Sequence, residues 1–456
     1  MIIKEFKSIL NSFEIYSLFK DTADAMFLDS GRDHDGLGRY SVIAVHPFEK
    51  IENKGQTTTI VNVDGTTTLT GKPFDILREK LSTYEMDYRS ELPFIGGAVG
   101  YFGYDLCHHM EKLPRTAVDD VNIPDMYLCF YHGAIIIDHK INCVYITDAE
   151  LKSGGQLRVD KVLNTIREGE ANPAVVNVIH HEREVDFEPN MDKDTYLNSV
   201  RRIKEYIRTG DIYQANMTQR FETELRDEPV SLYKKLREIN PAPFSSYIDF
   251  GDGQIVSSSP ERFLKVRDGH VETRPIKGTL PRGRTPEEDE MLKNKLQNSK
   301  KDRSELLMIV DLERNDLSRV AKTGTVKVPE LFVIESYATV HHLVSTVTAE
   351  MKDELTFVDL LEASFPGGSI TGAPKIRAMQ VIDELEPTQR NIYTGSIGYI
   401  DFNGNADLNI VIRTIVCKDE KAYFQVGGGI VWDSDEYLEY DETLDKARAL
   451  MNALRH

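Results

Sequence analysis

The sequence predicts an α+β chain of layered architecture, hairpin-rich sheet with helices packed outside it. Three observations carry this expectation. Runs rich in Ile, Val and Tyr are separated by short polar turns, the pattern of antiparallel hairpins. One glycine-rich strand pattern occurs twice, far apart in the chain. Between the strand runs lie stretches of helical period with recognisable end signals.

In chain order, the opening "MIIKEFKSILNSFEIY" has no basic stretch leading into an apolar run and a small-residue cleavage site, so it reads as folded protein rather than a signal peptide. "GGAVGYFGYD" (Gly96 to Asp105) echoes "TGSIGYIDFNG" (Thr394 to Gly404). Each is followed by a strand-turn-strand pattern, "GAIIIDHKINCVYITD" in the first half and "IVIRTIVCKDEKAYFQVGGGI" in the second. "EANPAVVNVIHHEREVDFEPN" (170–190) has two prolines and mixed charge without helical period, and divides an N-terminal region, 1–180, from a C-terminal region, 190–456. "DKDTYLNSVRRIKEYIRTG" places apolar residues at 196, 197, 200, 203 and 207, with a cap at Asp192 and a stop at Gly210. "IYQANMTQRFETEL" alternates as a strand, with Ala215, Met217, Phe221 and Leu225 on one face and Gln214, Asn216, Thr218 and Arg220 on the other. "DRSELLMIVDLERNDL" and the terminal "EYDETLDKARALMNALRH" are helical.

Composition narrows the class. With 456 residues and 40% hydrophobic content, a large core is available. No run of 18 apolar residues appears, so no membrane-spanning helix is expected. The net charge of −19 repels a polyanion, and no basic stripe with interleaved aromatics offsets it, which excludes nucleic-acid binding. The four cysteines, Cys107, Cys129, Cys143 and Cys417, form no CxxC pair and are too sparse for a disulfide framework, which predicts a cytoplasmic protein.

Asp268-Gly269 is a strong hairpin signal, and counting outward pairs Val266 with Val271 and Lys265 with Glu272. The same register carries Glu261 close to Lys277, with Pro260 and Pro275 expected to break the ladder there. Taken alone, Lys277 of "TRPIKGTL" reads as a solvated turn lysine. An ordinary lysine, pKa ~10.4, is neutral in only about one molecule in 2,500 at pH 7, so a nucleophilic role requires desolvation or nearby cations. Glu439, Glu442 and Lys446 share one helical face, and Glu305 lies on another helix; this is either a salt-bridged surface or a pair of carboxylate donors for Mg²⁺. "FPGGSITGAPK" and "QVGGGIV" are either close backbone packing or amide sites for a carboxylate; neither is a Walker loop.

Nine stretches, "SPERF", "TRPIKGTLPRG", "KDRSELLMIVDLERNDL", "VHHLVSTV", "FPGGSITGAPKIRAMQVIDELEP", "GSIGYIDFNG", "LNIVIRTIV", "GGGIVWDSD" and "YDETLDKAR", occur in the order seen in chorismate-utilising enzymes, which this chain resembles densely from Gly210 to about Leu454. The resemblance implies a layered sandwich of two mainly antiparallel β-sheets with helices outside, of the anthranilate synthase component I type. It implies that Glu305 and Glu442, with Glu439 nearby, hold Mg²⁺ on the ring carboxylate of chorismate. Arg413, Ser369, Tyr393, Lys446 and the amides of Gly427, Gly428 and Gly429 would bind the substrate's carboxylates. Glu261 and His342 would serve proton transfers, Glu261 at the departing C4 hydroxyl.

Lys277 then selects the branch. Anthranilate synthases carry alanine at the matching position; aminodeoxychorismate synthases carry lysine, which attacks C2 as the C4 hydroxyl leaves, before ammonia adds at C4. Arg274 and the metal are expected to keep that amine neutral. Gln214 stands where the water-using isochorismate and salicylate synthases carry a lysine base. No cysteine lies in a G-x-C-x-G elbow, so the ammonia is expected from a separate glutamine amidotransferase subunit, in p-aminobenzoate and folate synthesis. Ser30, Arg39, Tyr40 and Ser41, with "NPAPFSS" (Asn240 to Ser246), resemble a tryptophan-sized pocket of the anthranilate synthases, the nearest rival reading. A catalytically inert chorismate-binding scaffold is disfavoured because Glu305, Glu442 and His342 are all in place.

Overall fold

The two glycine-rich motifs that echo each other in sequence are partners in space. The Ser396–Asp401 strand pairs antiparallel with Gly97–Phe102, and Gly398 lies opposite Gly100. The computed structural model describes residues 1–31, 36–172, 176, 185–337 and 340–455.

Among the described residues the strands form two sheets of 12 strands each. The first runs Ile2–Phe6, Cys143–Asp148, Ile135–Asp138, Tyr40–Ala44 and Met26–Asp29, then Phe244–Asp249, Gly253–Ser259, Thr414–Lys418, Lys421–Ile430, Gln214–Glu224 and Glu188–Pro189. The second runs Ile276–Pro281, Val340–Glu350, His270–Thr273, Arg262–Arg267, Ala406–Asn409 and Ser396–Asp401, then Gly97–Phe102, Met126–Tyr131, Glu49–Lys54, Thr57–Asn62 and Gly65–Thr70. Two further strands pair off these paths, Gly372–Ala373 on Gln214–Glu224 and Lys327–Ser336 on Val340–Glu350. The joins between early and late parts of the chain are antiparallel in both sheets. The regions 1–180 and 190–456 are therefore not stacked layers: each gives strands to both sheets. Of the stretch between them, 173–175 and 177–184 lie outside the described residues.

Period-2 alternation builds the layers. Met26, Val42, Ile136 and Ile255 of the first sheet share one core with Val99, Leu128, Phe130, Leu264 and Val266 of the second. Their neighbours Phe27, Ile43, Ile135, Ile137 and Val256 face outward into a second core. That outer core is closed by Val159 and Ile166 of the Gly155–Ala171 helix, Leu232 and Leu236 of Pro229–Ile239, and Leu450 and Ala453 of Glu436–Arg455. The Lys193–Arg208 helix starts where the Asp192 side chain accepts from the Thr195 amide at 2.8 Å, and the chain turns away at Gly210 with φ 82°. Its Val200 and Ile203 pack on Ala215 and Met217 of the Gln214–Glu224 strand, which leaves that strand's polar face for the molecule's interior.

The strand beside the join explains the glycine at 398. A Cβ built on Gly398 would stand 2.0 Å from the carbonyl oxygen of Asp407, on the neighbouring strand. Replacement of Gly398 by alanine must push those strands apart and is expected to cost about 1–3 kcal/mol. Calorimetric melting of Gly398→Ala checks this, and an unchanged midpoint would show that this strand pair tolerates separation.

Candidate active site

The hairpin at Asp268-Gly269 forms as the sequence predicts: Val266 pairs with Val271, Lys265 with Glu272, and the two turn residues have φ 51° and 80°. Its hairpin ladder ends at Glu272, but His270–Thr273 also pairs with Val340–Glu350, and after the break at Arg274-Pro275 the chain resumes on that same strand in the same register, so that Lys277 faces Leu343. A bulge follows at Gly278, whose φ of 74° no side-chain-bearing residue adopts readily. The bulge re-aims the side chains around it and brings Thr279 opposite His342, whose Nδ1 lies 2.8 Å from the Thr279 hydroxyl. Glu261, one residue past the other strand's proline, meets the same region: its Oε1 accepts weakly from the Ile276 amide at 3.4 Å.

Lys277 is half-buried, and its Nζ donates to the backbone carbonyl of Ser369 at 2.9 Å. Burial lowers the pKa of this amine; Glu305 and Glu261 pull the other way, while Lys446 adds to the lowering. Glu261 shows the complementary effect. Burial raises its carboxyl, against the opposing influence of Lys277 and a hydrogen bond with Ser369. Burial thus pushes both groups toward their neutral forms, and each acts electrostatically on the other. Arg274 does not contribute as expected. It is held in an ion pair with Glu335 and lies 3.6 Å from Glu330, and the cation that acts on Lys277 is Lys446, from the last helix. Arg274 lies in the break between the two strands, where Glu335 and Glu330 hold its guanidinium.

The carboxylates gather from two helices. Glu305 sits on Lys300–Ser318, which the Ser299 hydroxyl caps, and Glu439 and Glu442 sit on Glu436–Arg455. Glu442 pairs with Lys446 at 2.7 Å; burial works to raise its carboxyl, but Lys446 and the neighbouring lysines carry it below its ordinary value. Glu439 accepts from the Ser434 hydroxyl at 2.7 Å. Lys301, not singled out from the sequence, lies between the helices, 3.6 Å from Glu439 and 4.0 Å from Glu305. Its only sequence signal is its i, i+4 spacing to Glu305.

Gly428 faces this group. A Cβ there would lie 3.3 Å from Glu439 Oε2, 3.6 Å from Glu442 Oε1 and 3.7 Å from Lys446 Nζ, so the glycine leaves the floor of the cleft open. Lys446 also donates to the Gly427 carbonyl at 2.8 Å. The ladder between Thr414–Lys418 and Lys421–Ile430 ends at Phe424, so from Gln425 onward, including Gly427 to Gly429, no strand among the described residues pairs with that edge. Those of its amides that point to this edge, rather than to Gln214–Glu224, are open to a carboxylate. Among the described residues no three His, Cys, Asp or Glu side chains are gathered closely enough to hold an ion by themselves. The donor set nevertheless fits a hard divalent cation. The oxygens are carboxylate, Glu305 Oε1 is buried without a hydrogen-bond partner, and burial raises that carboxyl's pKa, as it would for a ligand awaiting a charge.

Gln214 faces neither solvent nor an open cavity. It is buried under the glycine strand, its amide nitrogen 2.2 Å from where a Cβ of Gly429 would be, and its Oε1 has no hydrogen-bond partner. Arg413 is largely buried, adopts φ 52°, and donates to Asn240 at 3.4 Å; among the described residues no carboxylate pairs with it. Tyr393 is buried, 6.0 Å from the Arg390 guanidinium to its ring centre.

The four residues of the tryptophan-like set separate. Arg39 and Tyr40 line a cavity of about 460 Å³ between the sheets, together with Pro243 to Ser246. Ser41 instead bonds Asp29 at 2.9 Å and receives the Ser30 amide at 3.0 Å, deep beneath it, and Arg39 pairs with Asp138.

This combination of sandwich and cleft defines a class. Residues 24–452 match the chorismate binding enzyme family, and the chain belongs to it. It is a chorismate-utilising enzyme, and no described helix is long and apolar enough to cross a membrane. It is 42% identical to aminodeoxychorismate synthase component 1 of Salmonella typhimurium, over 95% of this chain and 93% of that one. It is also 39% identical to anthranilate synthase component 1 of Acetivibrio thermocellus, over 96% and 92%. The crystal structure of anthranilate synthase component I from Streptococcus pneumoniae superposes with a TM-score of 0.81 at 35% identity, over 92% of each chain.

The opposed environments of two lysines give a direct check. Burial lowers Lys277, whereas Lys301, beside Glu439 and Glu305, is raised despite its own partial burial. Acylation of each lysine, followed against pH by mass spectrometry, should reach its plateau at lower pH for Lys277 than for Lys301. Coincident curves would mean that the Lys277 amine is solvated as an ordinary lysine is.

Proposed function

We propose that this chain aminates chorismate at C4, forming 4-amino-4-deoxychorismate with ammonia from a glutamine amidotransferase partner, on the way to p-aminobenzoate and folate. The observation that carries the reading is Lys277, an amine of lowered pKa held at 2.9 Å on the Ser369 carbonyl and electrostatically linked to Glu261. The similarity to component 1 of aminodeoxychorismate synthases supports it, and that name itself speaks of a multi-component enzyme in those relatives.

In the proposed course, the neutral Lys277 amine attacks C2 while the ring double bond shifts and the C4–O bond breaks. The protonated Glu261 gives its proton to the departing hydroxyl, which leaves as water. Ammonia then forms the C4–N bond as the C2–N bond to Lys277 breaks and returns the amine. Two displacements replace one difficult one. Arg413 and the edge amides of Gly427 to Gly429 receive carboxylate, with Lys446, Ser369 and Tyr393 completing the binding surface. His342, oriented by Thr279, serves a second proton transfer. Glu305 and Glu442, with Glu439, would hold Mg²⁺, which when bound neutralises the ring carboxylate. Gln214 cannot deprotonate water, which favours ammonia as the nucleophile.

The alternative, amination at C2 to anthranilate, is favoured by the anthranilate synthase likeness. Product identity decides. With chorismate, Mg²⁺ and an ammonium salt at alkaline pH, chromatography with mass detection is expected to show 4-amino-4-deoxychorismate, and anthranilate would overturn the proposal. Lys277→Ala is expected to lower C4 amination by about 10³-fold or more, since the nucleophile itself is lost. Unchanged amination would remove the covalent step. Chelation with EDTA should abolish turnover, and Glu305→Gln should raise the Mg²⁺ concentration for half-maximal rate by about 10-fold or more, read by titration.

A further inference from the structure

We infer that Arg390 and Glu386 are positioning residues for the site, clamping the turn that holds Lys277 to the strand that carries Gln214; the inference rests on the reading of Lys277 as the reacting amine. Arg390 is 3% exposed and Glu386 likewise 3%, so neither is a surface charge. Every donor of the guanidinium is used. Nε and Nη2 donate to the two Glu386 oxygens at 2.9 and 2.8 Å. Nη1 donates to the Ile370 carbonyl at 3.0 Å and to the Thr394 hydroxyl at 3.3 Å, and Nη2 to the Asn216 carbonyl at 2.8 Å. Glu386 in turn accepts from the Thr218 amide and hydroxyl at 3.1 and 2.6 Å.

The atoms so bound belong to site-bearing segments. Ile370 follows Ser369, whose carbonyl takes the Lys277 ammonium and whose side chain meets Glu261. Asn216 and Thr218 share a strand face with Gln214 and pair with Gly429 and Gly427. Thr394 adjoins Tyr393, whose ring centre lies 6.0 Å from the guanidinium. One planar fork therefore fixes, relative to one another, the acceptor of the nucleophile, the strand beside the glycine edge and the tyrosine of the binding surface. A buried ion pair is a weak source of stability, since desolvation offsets most of its attraction, whereas five directed bonds from one rigid group define geometry well. Lysine in its place has three donors on one atom and cannot span these acceptors.

The test measures ammonium-dependent chorismate consumption with Mg²⁺ for wild type, Arg390→Lys, Glu386→Gln and Lys277→Ala, with melting curves alongside. Arg390→Lys keeps the charge opposite Glu386; it is expected to lose about 30- to 100-fold in kcat, the size of effect that ångström misplacement of a reacting group produces, with KM for chorismate within about threefold. Glu386→Gln keeps all the carbonyl contacts of Arg390 and decides the matter if Arg390→Lys does not fold; a fall of about 3- to 10-fold in kcat at unchanged KM is expected. Wild-type kcat in a folded Arg390→Lys, or in Glu386→Gln, overturns the inference, as does a change confined to KM. Full activity in Lys277→Ala would instead sink the reading on which it rests.

Discussion

The partial burial of one amine among carboxylates is the interaction on which the reading of this molecule depends. A lysine deprived of solvent pays several kilocalories for its charge unless carboxylates stand close, and too many carboxylates would hold it protonated and inert. Here Glu305 and Glu261 act against the lowering and Lys446 acts with it, so the charge state of Lys277 depends on residues from three separate elements. This also resolves how a chain of net charge −19 accommodates an anionic substrate. Locally the balance differs: Lys277, Lys446 and Lys301 stand among Glu305, Glu439 and Glu442, and among the described residues no carboxylate pairs with Arg413.

Much of the fold was legible because it is local. The hairpin register at Asp268-Gly269, the helix bounded by Asp192 and Gly210, and the two-faced strand from Gln214 follow from turn chemistry and periodicity over a dozen residues. The glycine echo was legible as well, although only the structure shows that the two copies lie side by side. Site roles were a different matter. Spacing alone left Lys277 a turn lysine and Glu439 and Glu442 a surface face; family resemblance, not periodicity, assigned them chemistry.

What stayed hidden is what long-range pairing decides. Arg274 is near Lys277 along the chain, but Glu335 holds its guanidinium, and the cation that acts on the amine is Lys446, from the far end of the sequence. Lys301 between two helices, and Arg390 joining four segments, are products of tertiary juxtaposition that no window of sequence contains.

The interleaving of early and late strands has a consequence for biogenesis. While the chain is being synthesised, Met26–Asp29 and Gly97–Phe102 are the ends of half-built sheets, for their partners Phe244–Asp249 and Ser396–Asp401 have yet to emerge from the ribosome. Those bare, apolar edges are open to pairing with other nascent chains, the first until just past the middle of the chain is made and the second until its last quarter arrives. Contacts so distant in sequence also slow the closing of the sandwich. Yield of active enzyme is therefore governed by the race between completing two sheets and sticking to a neighbour, and slower synthesis at lower temperature or a chaperone that shields strand edges favours the former.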